Sequence, residues 1–277
     1  MQTMSEISRY TFGSMSLGRS EATLDADIAV ARRAMEAGVW FHSSPTYNRG
    51  FTYMVLRHAF DEARHQVPRL IIKLRDGTPK LLRFEAEDAC RRLGIDAIDV
   101  AQLVSLERGP GCLTEQLRSG GAVADELAHL RRRGLIKQAV IFVDRGNSDA
   151  GVAALSSNLV EGLTFYWNAC QRDCSEAAWQ GIRTAHVPVL ALRTLAGGPL
   201  DAESAARRPA AAVLVRESGC ADEVEFAVSL ARSVPEISTT IGGTASLAHL
   251  ERYLACVAVA RPLPPAILSR WEALVRG

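Results

Sequence analysis

The chain of 277 residues is predicted to form an α/β fold, a (β/α)8 TIM barrel with an additional C-terminal helix. Three observations predict it. Short apolar runs alternate with longer stretches of helical period from one end of the chain to the other, eight times over. The length suits a barrel occupying residues 1–277 as a single domain, and is long for other compact units. The phosphate fingerprint that a doubly wound sheet would carry after its first strand is missing. "GSMSLG" is not G-x-G-x-x-G, and no Walker pattern occurs.

The strands are read, in order, from "YTFGSMSL", "VWFHS", "RLIIKL", "IDVAQLV", "QAVIFV", "GLTFYWN", "VPVLALR" and "ISTTIGG". Several are apolar on both faces, as parallel strands covered by helices must be. The helices between them are "DADIAVARRAMEAG", "FTYMVLRHAFDEA", "FEAEDACRRLG", "VADELAHLRRRG", "SDAGVAALSSN", "CSEAAWQGIRTAH" and "DEVEFAVSLARSV". An eighth, "SLAHLERYLACVA", follows the last strand, and "PPAILSRWEALVR" is the extra terminal helix. Gly38, Gly94 and Gly134 stop three of these helices before the next strand.

Composition narrows the function classes. Hydrophobic residues make up 48% and charged residues 23%, with a net charge of +1, which offers no field for nucleic acid or an anionic membrane. The one dense basic run, Arg131-Arg132-Arg133, sits at a helix C-terminus, where cations complement the dipole. No signal-peptide pattern and no run of membrane-spanning length is present, so a cytoplasmic protein is expected. The six cysteines are expected to be reduced thiols, and no metal is expected. Cys170 and Cys174 are four apart, with no second ligand pair to complete a zinc pattern. The histidines show no metal spacing, and the four tryptophans are explained by packing.

In such a barrel function gathers where strands end and the following loops begin. That rule selects His42, Ser43 and Tyr47 after the second strand, and Lys73, Arg75 and Asp76 after the third. It adds Ser105 and Glu107 after the fourth, Asp144 after the fifth, Asn168 on the sixth and Arg193 on the seventh. Gly243 and Thr244 follow the eighth. A mouth of this mixed polarity suits a small polar molecule.

Taken together and in order, the units resemble the aldo-keto reductases across nearly the whole chain. "AMEAGVWFHSSPTY" is similar to that family's "A-x-x-x-G-x-x-x-x-D-T-A-x-x-Y", and "RRLGIDAIDVAQL" to its "L-x-x-L-G-x-D-Y-I-D-L-Y-Q-x-H". "ELAHLRRRGLIKQAVIFV", "VPVLALRTLAGGPL" and "STTIGGTASLAHLERYL" resemble three further segments. The family reduces carbonyls with NADPH, using Asp, Tyr, Lys and His. The resemblance assigns the tyrosine to Tyr47 and the lysine to Lys73. The aspartate position falls on His42 if Tyr47 anchors the alignment and on Ser43 if Gly38 does; neither is an acid. The histidine position is Val104.

The resemblance also implies a departure on the cofactor side. The Ser-Asn pair that holds the nicotinamide carboxamide lines up with Val143 and Asp144, the strand-six glutamine with Thr164, and the stacking aromatic with Leu192. Gly243 and Thr244 remain in the phosphate region, Ala245 follows, and Tyr253 stands at the closing asparagine. Arg193 offers a new stacking or phosphate-pairing group. Five lost contacts at about 1 kcal/mol each would remove several powers of ten in affinity.

Three readings follow. In the first the barrel has left redox chemistry and performs acid/base chemistry (elimination, isomerisation or hydration) on a small polar carbonyl compound, using Tyr47, Lys73 and His42. In the second it is a divergent NADPH-dependent carbonyl reductase that binds the cofactor through Arg193, Gly243 and Thr244. In the third it is a non-catalytic binding or scaffold protein.

Overall fold

A computed structural model describes residues 4–75, 77–105, 113–196 and 201–276. The strands in chain order are β1 (Tyr10–Gly13), β2 (Trp40–Ser43), β3 (Leu70–Arg75), β4 (Ile98–Val104) and β5 (Ile136–Phe142). They continue with β6 (Gly162–Asn168), the two-residue β7 (Gln171–Arg172), β8 (Val189–Leu192) and β9 (Ile237–Gly242). All pair in parallel except β7, which turns back on β6 as a short antiparallel hairpin. Pairing runs β1-β2-β3-β4-β5-β6-β8-β9, and β9 pairs with β1, so eight parallel strands close a barrel.

The helices are α1 (Leu24–Glu36), α2 (Phe51–Glu62), α3 (Pro79–Leu93), α4 (Leu113–Ser119), α5 (Ala122–Arg132) and α6 (Ser148–Ala154). Then come α7 (Glu176–Ala185), α8 (Ala202–Ala206), α9 (Arg208–Glu217), α10 (Glu223–Arg232), α11 (Leu247–Val259) and the terminal α12 (Pro265–Val275). Helix α3 starts before the expected "FEAEDACRRLG", because Thr78 caps it by accepting from the Leu81 N–H and Pro79 opens its first turn. Gly94 ends it in the left-handed region at φ 65°, with its N–H on the Cys90 carbonyl.

Alternation along the strands divides the core in two. Outward residues such as Phe41, Ile72, Leu74, Leu103, Ile141 and Phe165 join the helices in the main apolar cluster. Each such side chain contributes about 1.5–3 kcal/mol on full burial. Inward residues Trp40, Ile71, Val100, Val140, Leu190 and Ile241 form a separate cluster with Met4 and Ile7. The N-terminal turn therefore plugs the barrel at the end where the strands begin.

Three helices were not expected from the sequence. Helix α4 is one, and α8 and α9 fill the connection from β8 to α10. Pro209 in "ARRPAAAVLV" reads as a breaker but stands in the first turn of α9, where it lacks no needed N–H. Helix α12 locks onto the barrel through Trp271, fully buried, whose ring meets Trp167 at 5.1 Å and whose Nε1 donates to the Asn168 carbonyl. Among the described residues no helix is long and apolar enough to cross a membrane, and the described Cys90, Cys170, Cys174, Cys220 and Cys256 are free thiols.

Candidate active site at the barrel mouth

The mouth is set by strand parity. On β2, Phe41 and Ser43 face out, so His42 is the residue that points into the barrel. Ser43 is fully buried and accepts from the Ser14 hydroxyl at 2.8 Å. The interior position is therefore filled by an imidazole and not by the serine. His42 is 3% exposed, and its Nε2 hydrogen-bonds Gln102 Oε1, the inward side chain of β4. An amide oxygen only accepts, so Nε2 carries the proton in this tautomer. Burial, outweighing the Gln102 bond and helped by the Lys73 charge, pulls the His42 pKa from 6.5 to about 4. The imidazole is neutral throughout the physiological range.

Lys73 lies beside Gln102 in the β3–β4 register and is half-buried. No hydrogen bond or ion pair holds its ammonium among the described residues. The nearest acid, Glu85 of α3, is already held by Arg75, accepting from the Arg75 backbone N–H at 2.7 Å and from its guanidinium. Desolvation is the largest influence on Lys73 and lowers its pKa. Glu85 opposes it from a distance, and Arg75 adds to the lowering. Arg75 was expected in the pocket; the structure uses it instead to clamp β3 to α3.

Tyr47 follows β2 in a tight turn, its ring 6.1 Å from that of His42. Burial first, and Tyr166 second, push the Tyr47 pKa well above the usual phenol value. The charge of Lys73 acts on His42 and is not among the influences on Tyr47. Tyr47 is here a phenol that stays protonated.

On the far wall Arg193 was expected and Tyr166 was not. Tyr166, inward on β6, meets Phe142 of β5 edge-on at 5.4 Å, and Arg193 lays its guanidinium 3.9 Å from the Tyr166 ring centroid. Arg193 follows β8 with φ 55°, in the left-handed region that non-glycine residues seldom adopt. The alternation of Thr164 and Tyr166 within "GLTFYWN" was the available signal for Tyr166, as Gln102 within "IDVAQLV" was for its own inward position.

Two other expected members serve local turns. Asn168 is fully buried in the β6–β7 turn, its Oδ1 accepting from the Cys170 N–H, so it shapes the hairpin. Asp144 closes the loop after β5 by accepting from the Gly146 N–H. Ser105 is half-buried just beyond β4. Asp76 and Glu107 lie outside the described residues.

The residues matched to a dinucleotide site are largely engaged within the protein. Val143 is fully buried in the outer core, and the Thr164 hydroxyl donates to the Leu190 carbonyl at 2.8 Å. Leu192 offers no ring. Tyr253 stacks on Tyr10 at 4.3 Å and donates to Thr240. The Thr244 hydroxyl accepts from the Ser246 N–H, and Ser246 caps α11. Gly243 is needed for packing, since a Cβ there would lie 2.0 Å from the Gly13 carbonyl oxygen. Where the resemblance would place a serine, a glutamine and a stacking aromatic, this chain has Val143, Thr164 and Leu192. Among the described residues there is no group of side chains able to hold a metal ion.

No protein-family model matches the chain, and no curated protein sequence matches it. Solved structures do. The holo form of an aldo-keto reductase from Bacillus halodurans superposes with a TM-score of 0.76 at 18% identity, covering 97% of this chain and 92% of that one. An aldo/keto reductase from Klebsiella pneumoniae, in complex with NADP and acetate, gives 0.74 at 17% identity over 98% of this chain and 92% of the other. A thermostable aldo-keto reductase in complex with the inhibitor epalrestat gives 0.73 at 15% identity, with 97% and 95% covered. The chain has the aldo-keto reductase fold, a closed (β/α)8 barrel with a C-terminal helix.

Proposed function

We propose that this is a divergent member of the aldo-keto reductase superfamily that performs acid/base chemistry on a small polar carbonyl compound at the barrel mouth. One observation carries the reading: the half-buried Lys73 ammonium, which has no hydrogen-bonding or ionic partner among the described residues. An ammonium removed from water without a counter-charge is costly. The cost falls if it gives up its proton, and the neutral amine is then a base. In this reading Lys73 takes a proton from the carbon next to the substrate carbonyl, while the Tyr47 hydroxyl donates a hydrogen bond to the carbonyl oxygen. His42, neutral and fixed by Gln102, supports Lys73 without adding a second charge. Returning the proton to the same or a neighbouring atom gives isomerisation, and loss of a β-substituent gives elimination.

The test is deuterium incorporation. Small ketones and aldehydes in D2O should exchange their α-protons in the presence of the protein, as followed by NMR. Lys73→Met should abolish the exchange and Tyr47→Phe should slow it. A protein that exchanges no carbonyl compound above the solvent rate refutes the reading.

The neighbours in complex with NADP and with NADPH support a second reading, cofactor-dependent carbonyl reduction. NADPH titration, followed by cofactor fluorescence and melting temperature, separates the two. Micromolar affinity with carbonyl-dependent NADPH oxidation would establish reduction, and binding should appear as a raised Tm.

A further inference from the structure

We propose that the protein binds an apolar α-amino acid in a second cavity, with the side chain buried, the carboxylate at Arg208 and the ammonium at Glu223. The cavity measures about 340 Å³, within the range of small-molecule sites. It lies between the β6–β7 turn, the loop after β8 and the helices α9 and α10. His42, Tyr47 and Lys73 do not line it, so the proposal stands apart from the acid/base reading.

The depth of this cavity is apolar. Its buried lining is Cys170, Thr194, Ala211, Phe226 and Ala227, and Val215 continues it along α9. The two polar members add no charge. The Thr194 hydroxyl donates to the Ala191 carbonyl at 3.4 Å, and burial raises the pKa of the Cys170 thiol, which therefore stays protonated. Such a recess favours a hydrocarbon group over one that must be stripped of tightly held water.

The rim carries one charge of each sign. Arg208 opens α9 and Glu223 opens α10, and both are exposed. Among the described residues no ion pair joins them, and Arg208 donates instead to the Ala196 carbonyl at 3.3 Å. Both charges nevertheless reach the same spot. After burial, they are the next influences on the Cys170 thiol, Arg208 lowering its pKa and Glu223 raising it. A simple anion or cation at this rim would meet a like charge, and a hydrocarbon would leave both charges unused. A molecule with an ammonium, a carboxylate and an apolar group on one carbon complements all three features.

The experiment is an NMR titration of the intact protein with L-leucine, reading Kd. Leucine should bind saturably. L-alanine, which lacks the apolar bulk, should bind at least about tenfold more weakly. 3-Methylbutylamine, which lacks the carboxylate, and 4-methylpentanoate, which lacks the ammonium, should each bind at least about threefold more weakly than leucine. Arg208→Gln should remove the preference over the amine, and Glu223→Gln the preference over the acid. Ala212→Leu, which fills the recess from α9, should abolish binding while the melting temperature is kept. Lack of saturable leucine binding refutes the proposal. So does equal binding of leucine and its two truncated analogues, or leucine binding that survives Ala212→Leu unchanged.

Discussion

His42 gives the sharpest physical test of the site. A histidine buried in neutral form makes the folded protein resist protonation, while the unfolded chain accepts a proton near pH 6.5. The folded value is about 4. Between these two values the unfolded state binds more protons, so stability falls as pH falls from about 6.5 to about 4 and levels off below that. At pH 5 the protonation factors of the two states differ about thirtyfold, which corresponds to about 2 kcal/mol. The full span is roughly 3 kcal/mol. At 3% exposure there is little solvent screening to discount.

His42→Asn removes the titration and keeps a polar group facing Gln102. Urea unfolding of both proteins at about pH 7 and about pH 5 supplies the comparison, and titrations common to both proteins cancel in it. The unaltered protein should lose about 2 kcal/mol more than the variant on acidification. Equal losses would show that His42 titrates normally and is not the desolvated interior residue described here.

Three further outcomes are expected. Gly243→Ala should destabilise the fold by about 3 kcal/mol in chemical denaturation, because the added Cβ meets the rigid Gly13 backbone. Gly38→Ala, whose Cβ meets nothing within 4 Å and suffers only from φ 66°, should cost about 1 kcal/mol. Trp271→Ala should cost about 3–5 kcal/mol, since it removes a fully buried ring, its contact with Trp167 and its bond to the Asn168 carbonyl. A loss below about 1 kcal/mol would mean that α12 is only loosely attached.

The sequence by itself determined the closed barrel and where its chemistry would gather. Hydrophobic period is a local property: "IDVAQLV" and "GLTFYWN" become strands over their whole lengths because apolar residues on both faces can be satisfied only between helices and a barrel interior. Tyr47 and Lys73 were legible because strand ends in such a barrel open onto one face.

Tertiary structure alone decided which side chains meet there. Between His42 and Ser43 the choice rests on parity within a closed ring, which an alignment anchored at either end leaves open. Arg75 and Lys73 are two residues apart on one strand. A buried glutamate ten residues further along the chain claims the first and leaves the second without a hydrogen bond or ion pair among the described residues. Tyr166 and Arg193 come from different strands, and their contact exists only because β6 and β8 pair. The pattern of the chain fixes each strand's face, but desolvation and charge at the mouth are set by neighbours remote in sequence.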